Sequence, residues 1–340
     1  MRDRHGKQGT MTPPHRYRPY RAYRSHAPRP ACAAVLAGMA MAVLAGCSGI
    51  GAPAPGSSTA PTSSSVALAV IQEDSAAEVA AQEQAWADEQ ARENAIAIAG
   101  QTSTTAQAEL DQAVAALEAK GASVSYIVMD IATGATIEHN ADAVYYSASS
   151  IKGPYCVSMV RALGSKARDQ YGDTIRACLV NSDNDAYRTL RKSTYGQTFF
   201  RDFGAEVGVP IDLSHWYADY SARDLAKLWS VADRWLAAGS EDAVWIGELL
   251  GNTLNSQVDD LAGGDSITTW SKAGWYPGGD EGAVTFDGGA VHTQAGDYAI
   301  AVAVNRGSNF KAIRSIMEPL IALHDAQATL AGTESTEDIE

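Results

Sequence analysis

Cysteine is scarce: the 340 residues hold four, Cys32, Cys47, Cys156 and Cys178. No Cys–His cluster exists, and His139, His215, His292 and His324 fall at no metal-ligand spacing, so the pattern predicts neither a metal centre nor a cofactor. No glycine-rich motif opens a helix, which excludes a nucleotide-phosphate cradle. Asp287-Gly288-Gly289 and Pro277-Gly278-Gly279-Asp280 read as turn chemistry instead. Basic residues are outnumbered, 26 against 40, and the net charge of −14 argues against nucleic acid as a partner. The apolar run from Ala31 to Ala45 is too short for a comfortable membrane span.

What is present begins with a basic N-terminus. Arg2, Arg4, Lys7, Arg16, Arg18, Arg21, Arg24 and Arg29 stand against one acid, Asp3, and the apolar run follows, ending Leu44-Ala45-Gly46-Cys47. A basic segment, a short apolar segment and small residues read as a secretory signal over residues 1–46. The last four residues resemble a bacterial lipobox, which implies cleavage before Cys47, its acylation, and an extracytoplasmic, membrane-anchored protein. Met11 is an alternative start. Without the leader's eight basic and one acidic residue, 18 basic residues face 39 acidic ones, net −21, so attachment would come through lipid and not through a basic patch.

Residues 47–65, rich in Gly, Ser, Pro, Ala and Thr, read as a flexible linker. Residues 66–100, rich in Ala, Glu and Gln, read as a helical stalk or spacer stopped by Gly100. From 101 to 330 the pattern is that of one mixed α and β domain. Leu110, Val114 and Leu117 mark an amphipathic helix over 105–120. Val124 to Ile131 and Ala135 to His139 read as paired strands about the Thr133-Gly134 turn. Residues 267–276, 283–292 and 298–305 read as three later strands, and 309–326 as a closing helix containing Pro319. Residues 331–340 read as an acidic, disordered tail.

Chemistry concentrates in three short motifs. Ser149 and Lys152 are one helical turn apart at the start of a helix, which puts a hydroxyl and an amine on one face. Such a serine is a weak nucleophile until a base takes its proton, and the lysine can serve only if its pKa is depressed. Ser182-Asp183-Asn184 follows an apolar stretch, and Lys272-Ala273-Gly274 lies in a β-prone run. S-x-x-K, S-D-N and K-x-G in this order resemble the penicillin-recognising serine enzymes, that is, class A β-lactamases and serine D,D-peptidases, over about Ala106 to Ala326.

The resemblance implies an α/β (α+β) fold, with a five-stranded antiparallel sheet flanked by N- and C-terminal helices and a reduced helical subdomain. It also implies roles. Ser149 is the nucleophile, Lys152 its base, Ser182 the proton shuttle, and Asn184 a ligand of substrate amide and of Lys152. Lys272 helps the shuttle and, with Ala273 and Gly274, meets the substrate. The N–H groups of Ser149 and Trp275 form the oxyanion hole. Cys156 and Cys178 sit where some class A enzymes carry a disulfide; two buried free thiols are the alternative. The implied substrate is a β-lactam or a peptidoglycan stem peptide.

Departures from the family pattern are equally informative. The E-x-x-L-N pattern that carries the deacylating glutamate is absent, and the loop between Asp212 and Asp219 is short. Glu206, Asp212 and Asp219 are the nearest acids, and none has the right flanks. Ala273 replaces the usual hydroxyl residue. Acylation machinery is thus complete while efficient deacylation is not. Four readings follow: a specialised serine amidase or peptidase, a slowly turning penicillin-binding protein, a non-catalytic cell-wall protein, and a β-lactamase with a displaced base. The oligomeric state is left open.

Overall fold

The β-prone runs and amphipathic stretches assemble around one antiparallel sheet. The computed structural model describes residues 63–334, except 265, 280–281 and 294–295, with side chains described over 77–332. The signal segment, Cys47, most of the linker and residues 335–340 lie outside the described residues.

Strands β1 (Val124–Asp130) and β2 (Thr136–His139) form the expected hairpin. Two further strands, β3 (Val144–Tyr146) and β4 (Asp219–Ser221), form a small separate ladder pairing Tyr146 with Asp219. The run 267–276 is split into β5 (Thr268–Ser271) and β6 (Gly274–Tyr276), both paired to β7 (Val284–His292), which pairs β8 (Tyr298–Val304). The order is β2-β1-β8-β7-β5, with β6 prolonging the β5 edge along β7. Six strands therefore fill five positions across the sheet. Asp287-Gly288-Gly289 is not a turn: it lies inside β7, where Gly288 is needed because a Cβ there would stand 2.9 Å from Leu225 Cδ2.

Strand β8 shows how the sheet receives its two layers. Its residues alternate between large and small, Tyr298, Ile300, Val302 and Val304 on one face and Ala299, Ala301 and Ala303 on the other. The large face packs against the long N-terminal helix α1 (Ser63–Glu118) and the C-terminal helix, which spans Phe310–Glu334, through Leu110, Val114, Ile313, Ile316 and Leu320. The alanine face admits a helix, Ala222–Leu236, at close range, with Leu225 and Trp229 in the same apolar cluster. The other helices are α2 (Lys152–Leu163), α3 (Ser165–Val180), α4 (Asn184–Ser193) and α5 (Phe199–Ala205), with α6 for Ala222–Leu236, α7 (Glu241–Leu250), α8 (Gln257–Ala262) and α9 for Phe310–Glu334.

Three boundaries differ from the sequence expectation. Helix α1 starts at Ser63, inside the segment read as linker, and runs through Gly100 without a break. A glycine costs only ~1 kcal/mol in a helix interior, too little to stop a helix that is Ala-rich before it and packed on the sheet after it. Helix α9 continues to Glu334, into the segment read as tail, and Pro319 lies within it. Between residues 77 and 98, α1 is mostly exposed, including Trp86 and Ile98. No helix among the described residues is long and apolar enough to cross a membrane.

Candidate active site

Ser149 and Lys152 stand at the junction between the sheet edge and the helices. Ser149 belongs to a 3-10 turn, Ala148–Ile151, entered through Ala148 at a φ of 46°. Ser147 O accepts from Ser150 N at 3.2 Å and from Ser150 Oγ at 2.7 Å, which fixes the turn. Lys152 is the first residue of α2. The next residue must be small: a Cβ on Gly153 would lie 2.7 Å from Trp229 Cζ2 and 3.0 Å from Lys272 Cβ. The first turn of α2 is thereby pressed against α6 and the lysine that follows β5.

Gly274 has a comparable task. A Cβ there would stand 2.6 Å from Ser149 N and 2.4 Å from Ser150 N, so only glycine lets β6 approach the Ser149 backbone. Lys272 N donates to Gly288 O at 2.9 Å, and Gly274 pairs with Phe286. Antiparallel alternation therefore turns the peptide groups of Lys272, Gly274 and Tyr276 towards β7 and that of Trp275 towards the open edge. This is the orientation that an oxyanion donor needs.

Lys152 is fully buried. Its Nζ donates to Ser182 O at 2.7 Å, Asp183 O at 3.3 Å and Asn184 Oδ1 at 2.8 Å. It also lies 5.7 Å from the Tyr187 ring centre and 5.9 Å from that of Tyr217. Burial pushes its pKa down, against the charge of neighbouring groups such as Asp183. Ser182 connects α3 to α4 in a left-handed conformation, φ 55°, and its Oγ is buried without a partner. Asp183 caps α4 by accepting from Ala186 N at 2.8 Å, which places Asn184 at the first helical position.

Lys272 is also fully buried, donating to Ala273 O at 2.7 Å and lying 5.8 Å from the Trp275 ring centre. Burial first, and then the charge of Lys152, push its pKa down to about 7. The charge of Asp287 opposes this. Asp287 is itself buried and accepts from Gln257 N at 2.6 Å and Ser256 Oγ at 2.9 Å; burial holds its pKa up at about 6. Sequence reading missed Asp287 because its glycine neighbours gave it the composition of a turn.

The structure thus gathers Lys152, Ser182 and Asn184 by hydrogen bonds, and Ser149 and Gly274 by backbone contact. Among the described residues, no hydrogen bond joins Ser149 Oγ to Lys152 or Lys272 to Ser182 Oγ. Such bonds often tighten only when substrate is bound. The expected disulfide is absent. Cys156 and Cys178 do face each other from α2 and α3, but as buried free thiols 3.8 Å apart. Their proximity suits a bridge, yet the pair also packs well as two small apolar side chains.

Glu206, Asp212 and Asp219, the acids that the sequence offers for a deacylating base, are bound elsewhere or exposed. Glu206 pairs with Arg161 at 2.9 Å. Asp212 accepts from Ser214 N at 2.8 Å, Ser214 Oγ at 2.7 Å and His215 Nδ1 at 2.6 Å, which hold its pKa down at about 2. Asp219 is exposed at the start of β4. What the short loop brings in is Tyr217, whose hydroxyl donates to Asn184 Oδ1 at 3.1 Å and whose ring packs 5.0 Å from Tyr187 and 6.1 Å from Tyr146. Burial raises the Tyr217 pKa, so the phenol stays protonated at neutral pH. No sequence signal distinguished this tyrosine from others.

Comparison with solved structures identifies the fold. A β-lactamase from Sphaerobacter thermophilus superposes with a TM-score of 0.51 at 22% identity, covering 65% of this chain and 97% of that one. The fold is that of the β-lactamases. A β-lactamase from Desulfarculus baarsii gives a TM-score of 0.50 at 14% identity, again covering 65% and 97%. No protein-family model and no curated protein matches the chain.

Proposed function

We propose that the chain is an extracytoplasmic serine hydrolase, lipid-anchored through Cys47, that opens a β-lactam or a peptidoglycan-type amide through a Ser149 acyl-enzyme and releases it slowly. The observation that carries this reading is the fixing of Lys152 Nζ on Ser182 O and Asn184 Oδ1 next to a serine whose backbone is touched by Gly274. On this reading, neutral Lys152 takes the Ser149 proton as Oγ bonds to the carbonyl carbon. The N–H groups of Ser149 and Trp275 hold the oxyanion, each worth ~10²–10³ in rate. The C–N bond then breaks as Ser182 Oγ gives its proton to the leaving nitrogen and takes the Ser149 proton from the Lys152 ammonium, helped by the charge of the Lys272 ammonium. Lys272 also attracts the substrate carboxylate, with Ala273 and Gly274 lining its seat. Slow release is supported by Tyr217 standing in the short loop and by the engagement of Glu206 and Asp212 elsewhere.

A non-catalytic or penicillin-binding role is the second reading. It is favoured by the three acceptors that occupy the Lys152 ammonium and leave Ser149 Oγ without its base. Labelling with a fluorescent penicillin separates the two classes. The wild-type chain takes one label, read by intact mass, and Ser149→Ala takes none while keeping its thermal unfolding transition. The same adduct on the alanine variant removes Ser149 as nucleophile, and an unlabelled wild type favours the binding protein.

A further inference from the structure

A second cluster lies away from Ser149. Asp233 is on the last turns of α6, His292 ends β7, and Asp297 immediately precedes β8. One ligand atom from each lies within 4.8 Å of the others. Asp233 is 2% exposed, and its Oδ1 has no hydrogen-bond partner. His292 Nδ1 lies 2.7 Å from Asp297 Oδ1, yet it too makes no aligned hydrogen bond. The imidazole is held by stacking on Trp270, with ring centres 5.9 Å apart. Asp297 is held by Thr293 N, which donates to Oδ1 at 3.0 Å, and by its own carbonyl, which accepts from Ile131 N at 2.9 Å.

An unpartnered buried carboxylate is costly. Burial and the neighbouring Asp297 charge raise the Asp233 pKa to about 7. A cation would satisfy all three groups at once. One imidazole nitrogen with carboxylate oxygens is a donor set suited to zinc, whereas calcium takes six to eight oxygens and magnesium a near-ideal octahedron. Ligands ~2.0–2.2 Å from a tetrahedral zinc stand roughly 3.3–3.6 Å apart, so atoms now up to 4.8 Å apart close by about an ångström and the 2.7 Å His292–Asp297 pair opens by slightly less.

We propose that Asp233, His292 and Asp297 form a zinc site that ties the C-terminal end of α6 to the turn between β7 and β8. Sequence reading gave His292 no metal role because its companions come from other elements and share no spacing with it. Three protein ligands leave the fourth tetrahedral position to water. The site lies among the groups that anchor α6, the helix whose Trp229 packs against Gly153 at the start of α2.

The test is thermal unfolding of the full chain after dialysis against a chelator, with and without added zinc, magnesium or calcium. Zinc at about 100 times its dissociation constant is expected to raise the midpoint by about 5 °C or more. Magnesium and calcium are expected to do nothing. Asp297→Asn and His292→Ala lose the zinc shift. Asp233→Asn loses it as well, and it raises the midpoint of the metal-free protein by removing the stranded carboxylate. Should His292→Ala fail to fold, the two asparagine variants carry the same test. Absence of a zinc shift, an equal shift with calcium or magnesium, or a shift that survives in the asparagine variants would each overturn the site.

Discussion

Lys272 links burial to chemistry most directly. Its amine is enclosed, and its pKa is lowered to about 7, chiefly by burial. The ammonium fraction therefore falls as pH rises through about 7. If the ammonium attracts the substrate carboxylate, the second-order rate of Ser149 labelling falls about tenfold per pH unit above that point. Lys272→Arg should slow labelling but abolish this alkaline fall, because a guanidinium does not deprotonate. A profile that keeps its alkaline limb in the arginine variant assigns the titration to another group. The same shift bears on stability. The unfolded chain holds this proton up to about 10.5, so Lys272 adds stability progressively as pH rises from about 7 to about 10.5. At this scale the sequence was legible where spacing brings residues together: Lys152 meets Ser182 and Asn184, and Gly274 meets the backbone of Ser149. It was not legible where a residue acts through burial alone. Asp287 looked like a turn residue, and Asp233 carried no motif.

Among the elements, alternation was the clearest signal. The Tyr298–Val304 run states both faces of β8 in its own side chains, and the structure follows it. The interruption between β5 and β6 was not readable, because nothing in Thr268–Tyr276 marks where pairing to β7 changes. Nor was the course of α1, where helix propensity on one side and sheet packing on the other carry the backbone through Gly100. The short loop before β4 matters most for function. Its Tyr217 donates to Asn184, and burial raises its pKa, which suits a positioning role better than that of a base. Tyr217→Phe keeps the ring and removes one hydrogen bond. Steady-state hydrolysis of a chromogenic cephalosporin should then change by less than about tenfold. A loss of ~10²–10⁴, the range of a general base, would instead make the phenol the missing catalyst.

At the scale of the molecule, two halves of a catalytic cycle have different support. The elements that would acylate Ser149 converge on one junction of sheet and helices, held there by Gly153 and Gly274. The acids of the segment that would deacylate it do not: Glu206 is committed to Arg161, Asp212 to Ser214 and His215, and Asp219 is exposed in β4. Fold similarity to the β-lactamases does not distinguish an efficient enzyme from one arrested after its first step. Stopped-flow hydrolysis of a chromogenic cephalosporin by the purified chain, with intact mass followed in parallel, makes that distinction. Acylation without efficient deacylation gives a burst of about one product per protein, a persistent adduct on Ser149, and a steady rate far below ~10 per second. Turnover at or above that rate, with no burst and no adduct, would contradict it.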